Sequence, residues 1–157
     1  MYQLDIYSSS NKQLLKLKYG LELDVPGLKH CGVVRQEEVN GILQNYDICI
    51  LTHGFTGDYN EIEYQTIFPT RTIPLLLSGK PILAHSPPHT FLTKFLKDRD
   101  CAEVVEVPDE TVILQSLNRL VQDSKRIEVL MNNQKEAAEY FYGPKVVKSL
   151  KLAIQTP

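Results

Sequence analysis

Two hydroxyls and a guanidinium stand together in Pro69-Thr70-Arg71-Thr72, at the head of an apolar stretch of helical character. Exposed amides at a helix start, hydroxyls and an arginine are groups that together hold a phosphate or diphosphate. A plain N-cap beside a solvated arginine is the other reading of the same residues. Upstream, Thr52-His53-Gly54-Phe55-Thr56-Gly57-Asp58-Tyr59-Asn60 is the longest polar, glycine-bearing connection in the chain, and it follows a short apolar run. In open parallel sheets ligands sit beyond the carboxyl ends of the strands, so a ligand is expected at this connection.

Other chemistry is harder to assemble. The four histidines, His30, His53, His85 and His89, have no HExxH or CxxC partner, so no metal site is expected. His53, His85 and His89 fall at expected strand ends or helix starts, where each reads as a surface or capping residue or as a contact to the ligand. Cys31, Cys49 and Cys101 are an odd number without CxxC spacing, each in or beside an apolar segment, and read as buried reduced thiols.

The elements that must position these residues alternate in period. Tyr2 to Tyr7, Leu28 to Val34, Asp47 to Thr52, Pro81 to His85 and Ala102 to Val107 read as strands, whereas Asn11 to Lys18, Gln36 to Gln44, Thr70 to Leu77 and His89 to Lys97 read as helices. Near-continuous apolar runs such as Ile48-Cys49-Ile50-Leu51 suit strands buried on both faces. The expected fold is therefore α/β, a Rossmann-like doubly wound parallel sheet of five or six strands. From Pro108 onward only helices remain: one opened by Pro108-Asp109, a second capped by Ser124, and a third begun at Gly143-Pro144. The apolar stripes of these C-terminal helices, including Val147, Leu150 and Ile154, read as core. No repeat or linker interrupts the chain, so residues 1–157 read as one domain.

Composition narrows the function. With 157 residues, 43% of them hydrophobic, and a net charge of -2, the chain has one domain's worth of core and no basic field for nucleic acid. No apolar run reaches the roughly 20 residues that span a bilayer, and the start lacks the pattern of a signal peptide. A cytoplasmic protein without a transmembrane segment is the expectation. A phospho-receiver is disfavoured, because Thr52 and Ser8-Ser9 stand where that class needs an Asp and an acidic pair.

The run from Phe68 to Ala84, with Pro-Thr-Arg-Thr, an apolar helix, Gly-Lys-Pro and an apolar strand in order, resembles the donor-site segment of the C-terminal half of GT-B fold glycosyltransferases of the group 1 type. Its neighbours are similar in register. Tyr46 to Thr52 resembles the strand before the donor loop, Leu28 to Val34 the strand ending in Gly-x-Val, and Pro108 to Ala138 the helical tail. The resemblance implies that Thr70, Arg71 and Thr72 meet the donor diphosphate, that Val34 and Arg35 form the turn at the nucleobase, and that Gly54 and Phe55 approach the transferred sugar. It implies a nucleoside-diphosphate sugar as ligand, with a UDP-sugar the first expectation, and no metal.

The chain departs from the family at Pro74, where a Glu holds the ribose hydroxyls; Glu61 or Glu63 could substitute from the preceding loop. It departs again at Ser8-Ser9-Ser10, where a glycine-rich turn is usual. The family's acceptor site and catalytic base belong to an N-terminal domain that these residues do not contain. The implied activity is thus the donor-binding half of a glycosyltransferase, inactive alone; the alternative is a degenerate sugar-nucleotide fold serving as a non-catalytic interaction module.

Overall fold

The computed structural model describes residues 2–56 and 60–155. Gly57, Asp58 and Tyr59 of the polar connection lie outside the described residues. The chain divides into two compact units, Met1–Val39 and Asn40–Pro157.

In the first unit, strand β1 (Leu4–Tyr7) runs parallel to β2 (Leu28–Gly32), with Leu4 opposite Leu28 and Ile6 opposite His30. Parallel neighbours require a crossover, and helix α1 (Lys12–Tyr19) lies in it. Asn11 caps α1 by accepting the Gln13 amide at 2.7 Å. Gly20 ends it at φ +65°, a left-handed conformation in which its amide reaches the Lys16 carbonyl. After β2, a 3₁₀ turn at Gln36–Glu38 leads into α2 (Val39–Leu43).

The second unit holds β3 (Cys49–Thr52), β4 (Ile82–His85) and β5 (Glu103–Val105), all parallel in the order β3-β4-β5. Side chains alternate across this sheet. Ile82 and Ala84 join a core with Leu51, Leu75, Leu76, Leu92, Phe95 and Leu96, whereas Leu83 and Val105 join another with Leu120 and Leu130. Both faces are therefore covered, as a doubly wound sheet requires. The α/β class, the parallel strands and the C-terminal helices agree with the sequence. The hydrogen-bonded width does not: a two-stranded and a three-stranded sheet replace the expected five or six strands in one.

Helix α3 (Glu61–Thr66) occupies part of what reads as loop, started by Asn60, whose side chain accepts the Glu63 amide at 2.8 Å. Next come α4 (Thr72–Leu77), α5 (Phe91–Asp98), α6 (Glu110–Gln122), α7 (Ser124–Ala138) and α8 (Gly143–Gln155). Thr90 caps α5, and Leu92, Phe95 and Leu96 are buried at helical spacing. Asp109 caps α6 as expected. For α7 the cap is Asp123, not Ser124: its carboxylate takes the Arg126 amide at 2.9 Å and puts negative charge at the positive helix end.

The α8 stripe corrects another expectation. Val147, Leu150 and Ile154 are 50%, 59% and 75% exposed, so within the second unit this stripe is not core.

The α7 turn is fixed by charge. Arg126 grips Asp100 through two 2.7 Å hydrogen bonds, and Asn133 donates to the Asp100 carbonyl at 2.9 Å. Asp100 itself sits at φ +45°. The guanidinium holds the Asp100 carboxyl below its ordinary range.

Candidate anion site at the carboxyl edge

Strands β3, β4 and β5 all point their carboxyl ends the same way, so the residues that follow them share one edge. Those residues are Thr52 with His53, His85 with Ser86, and the segment reaching Val107. The His53 amide donates to the His85 carbonyl at 2.8 Å, and the Ser86 amide to the Val105 carbonyl at 3.1 Å, extending the ladder past the strands. Phe55 lies against the His85 ring at 4.5 Å between centroids, and His85 Nε2 is 3.0 Å from the Val107 carbonyl.

Arg71 reaches the same edge from the turn before α4. Its Nη2 donates to the main-chain carbonyl of Thr52, the last residue of β3, while its side chain stays exposed. The charge is felt next door: burial first, and then the Arg71 guanidinium, push the His53 imidazole below its ordinary range. An exposed guanidinium held at a half-buried edge favours an anion.

The helix start is built differently from the expectation. The Thr72 amide donates to the Pro69 carbonyl at 2.9 Å and the Ile73 amide to the Thr70 carbonyl at 3.2 Å, so the turn itself takes both. Thr72 is fully buried, with its hydroxyl turned away from solvent. Thr70 is exposed. What faces outward from Thr70-Arg71-Thr72 is therefore the Arg71 guanidinium and the Thr70 residue. Pro74 sits at the third residue of α4, where its missing N–H leaves no helical bond unmade.

Gly54, Phe55, Thr70 and Arg71 are thus in one unit, around the ends of β3 and β4. Gly54 lies in a tight turn, since a Cβ there would come within 3.2 Å of the Thr56 carbonyl. Val34 and Arg35 belong to the first unit and follow the end of β2, which closes at Gly32 with φ +74°. There Arg35 is engaged by Glu38, whose carboxylate accepts both its amide at 3.0 Å and its guanidinium at 2.9 Å. Those contacts hold the Glu38 carboxyl below its ordinary range.

His53 and His85, read from the sequence as surface, capping or ligand-contacting residues, both stand at this edge. The signal was positional: His53 and His85 each stand at the carboxyl end of an apolar run, where a parallel sheet puts its ligand. An open hollow lined by Gln115, Arg119, Asp123 and Lys125 lies instead at the α6 to α7 corner, and none of the edge residues lines it. Among the described residues no group of three His, Cys, Asp or Glu gathers as metal ligands. No described helix is long and apolar enough to cross a membrane.

No protein-family profile matches this sequence, and no curated protein matches it. Solved structures do. The chain is similar to Anabaena HepE, determined in complex with UDP-glucose, at 14% identity and a TM-score of 0.62 over 92% of this chain. It is similar to the sucrose-phosphate synthase of Thermosynechococcus elongatus at 16% identity and a TM-score of 0.66 over 98% of this chain. At such identities the likeness is one of fold, and that fold is consistent with the C-terminal half of the GT-B architecture. The chain spans 36% and 38% of the length of those two proteins.

Proposed function

We propose that this chain is the donor-binding half of a glycosyltransferase, holding a nucleoside-diphosphate sugar, with a UDP-sugar the first candidate, at the carboxyl edge of β3, β4 and β5. The observation that carries the reading is Arg71: an exposed guanidinium anchored to the Thr52 carbonyl at the edge where this fold class takes its ligands. The fold shared with a protein determined with UDP-glucose supports the choice of ligand class.

In this reading Arg71 offsets the negative charge that grows on the leaving diphosphate, a role that needs no metal. Its planar fork matches two phosphate oxygens at once, and Thr70 stands beside it. Gly54 and Phe55 approach the sugar, and Val34 and Arg35 approach the base. The acceptor site and catalytic base belong to a further N-terminal domain, so residues 1–157 alone transfer no sugar. The setting is cytoplasmic, in keeping with three free cysteines.

Calorimetry of the 157-residue chain with UDP, ADP, GDP and uridine tests this. The diphosphate is expected to bind more tightly than the nucleoside, and Arg71→Ala to remove most of the difference, about tenfold or more for a charge-assisted contact worth ~1.5–3 kcal/mol. Equal binding of nucleoside and diphosphate overturns the assignment.

Specific observations favour a second reading, a degenerate fold kept as an interaction module. Pro74 stands where a ribose-holding Glu is expected, and the Thr72 and Ile73 amides are already taken by their own turn. That reading expects no nucleotide binding at all.

A further inference from the structure

Three segments leave the carboxyl edge of the β3, β4, β5 sheet, and one residue touches all of them. The His85 carbonyl accepts the His53 amide at 2.8 Å, at the start of the segment that leaves β3. The His85 ring lies against Phe55, with centroids 4.5 Å apart and planes 36° from parallel. Its Nε2 is 3.0 Å from the carbonyl of Val107, beyond the end of β5. A carbonyl only accepts, so Nε2 carries the ring proton and donates it.

A strand end does not need this chemistry. The edge position of β4 is satisfied by any residue that continues the ladder, yet a ring with a donor stands here. Gly54 has no side chain with which to anchor itself, and the turn around it is tight. Phe55 is half-buried, with its ring against that of His85. The segment from His53 to Phe55 is therefore tied to the sheet from one side by main chain and from the other by the His85 ring, and that ring is in turn fixed by Val107.

We propose that His85 is a positioning residue for the donor sugar: it holds Gly54 and Phe55 in the place where the transferred sugar meets the protein, without touching the diphosphate. The inference rests on the nucleoside-diphosphate-sugar reading of the edge. Its signature is selectivity. Loss of the ring loosens the sugar contact and leaves the diphosphate contact, which belongs to Arg71, in place. A residue that only supports the fold weakens both ligands together.

The experiment compares UDP-glucose with UDP by calorimetry on the full chain and on His85→Ala, His85→Gln, Phe55→Ala and the double variant His85→Ala with Phe55→Ala. His85→Ala and Phe55→Ala are each expected to weaken UDP-glucose by about tenfold, as loss of a ring pair and a hydrogen bond implies, with UDP changed by less than about twofold. The double variant is expected to be no worse than either single one, because both remove the same pair. His85→Gln keeps a donor for Val107 and should recover part of the loss. If His85→Ala does not fold, His85→Gln and Phe55→Ala carry the same comparison. Equal weakening of both ligands, no weakening of either, or full additivity in the double variant overturns the inference alone. Failure of the native chain to bind either ligand overturns the donor reading and this inference together.

Discussion

Arg71 donates a hydrogen bond to the main-chain carbonyl of Thr52, tying the turn before α4 to the carboxyl end of β3. The bond orients the guanidinium at the sheet edge while leaving other donors of its fork exposed, because arginine carries five N–H groups and this contact uses one of its nitrogens. An anion that arrives there meets a cation already held in place. Pre-orientation of this kind lowers the entropy lost on binding.

Arg71→Lys should therefore behave differently from Arg71→Ala. A lysine keeps the charge but has no planar fork, and cannot hold Thr52 and two phosphate oxygens in one geometry. Calorimetry with UDP should find affinity between that of the native chain and the alanine variant, and a lysine variant equal to the native protein would show that charge alone is used.

His53 reports on the same cation. Burial and Arg71 both hold its imidazole below the ordinary value, so the native state resists protonation where the unfolded chain accepts it. The unfolded state then binds more protons as pH falls below about 6.5, and stability should decline over that range. An NMR titration should show the His53 midpoint rising in Arg71→Ala, but not fully, since burial is the larger cause. Adding inorganic pyrophosphate to the native chain should raise it as well.

Asp100 acts in the same direction, over a lower pH range. Arg126 holds its carboxyl below the ordinary range, so the pair's stabilisation is present above the unfolded carboxyl value and is lost as pH falls through the folded one. Both side chains are partly exposed, which limits the pair to roughly 1 kcal/mol. Asp100→Asn should lower stability by about that amount at neutral pH and flatten the acid limb of a denaturation series. Asp100→Ala should cost more, because alanine adopts φ +45° less readily than Asp or Asn.

The aromatic cluster predicts a larger effect. Phe95 is 2% exposed and meets Phe68, Phe91, Tyr140 and Phe141, with the Arg99 guanidinium 4.1 Å from its ring centre. Phe95→Ala should destabilise the chain by about 3–5 kcal/mol, read by urea denaturation.

The cysteines offer a chemical check on the core. Burial pushes the Cys101 thiol up to about 11, and Cys49 is raised for the same first cause. Neither should react with a thiol reagent at neutral pH until the chain unfolds, while half-buried Cys31 should react first.

By itself the sequence determined the class of fold and which residues end its parallel strands. Period decides those: the runs at Asp47 to Thr52 and Pro81 to His85 are too continuous for a one-sided sheet, and Pro69-Thr70-Arg71-Thr72 opens an apolar helix. The start of α6 at Pro108-Asp109 was legible because a cap acts within three residues of itself, whereas the α7 cap proved to be Asp123 and not its neighbour Ser124. The short helix at Glu61–Thr66 was not legible, since six mostly polar residues carry no apolar period. What only tertiary structure decided is which way side chains face and what they meet. Thr72 turns into the core while Arg71, one residue earlier, swings back to Thr52, and no local pattern encodes a partner so far along the chain. The pairing of Phe55 with His85 is of the same kind, because it exists only once parallel strands have brought two carboxyl ends side by side.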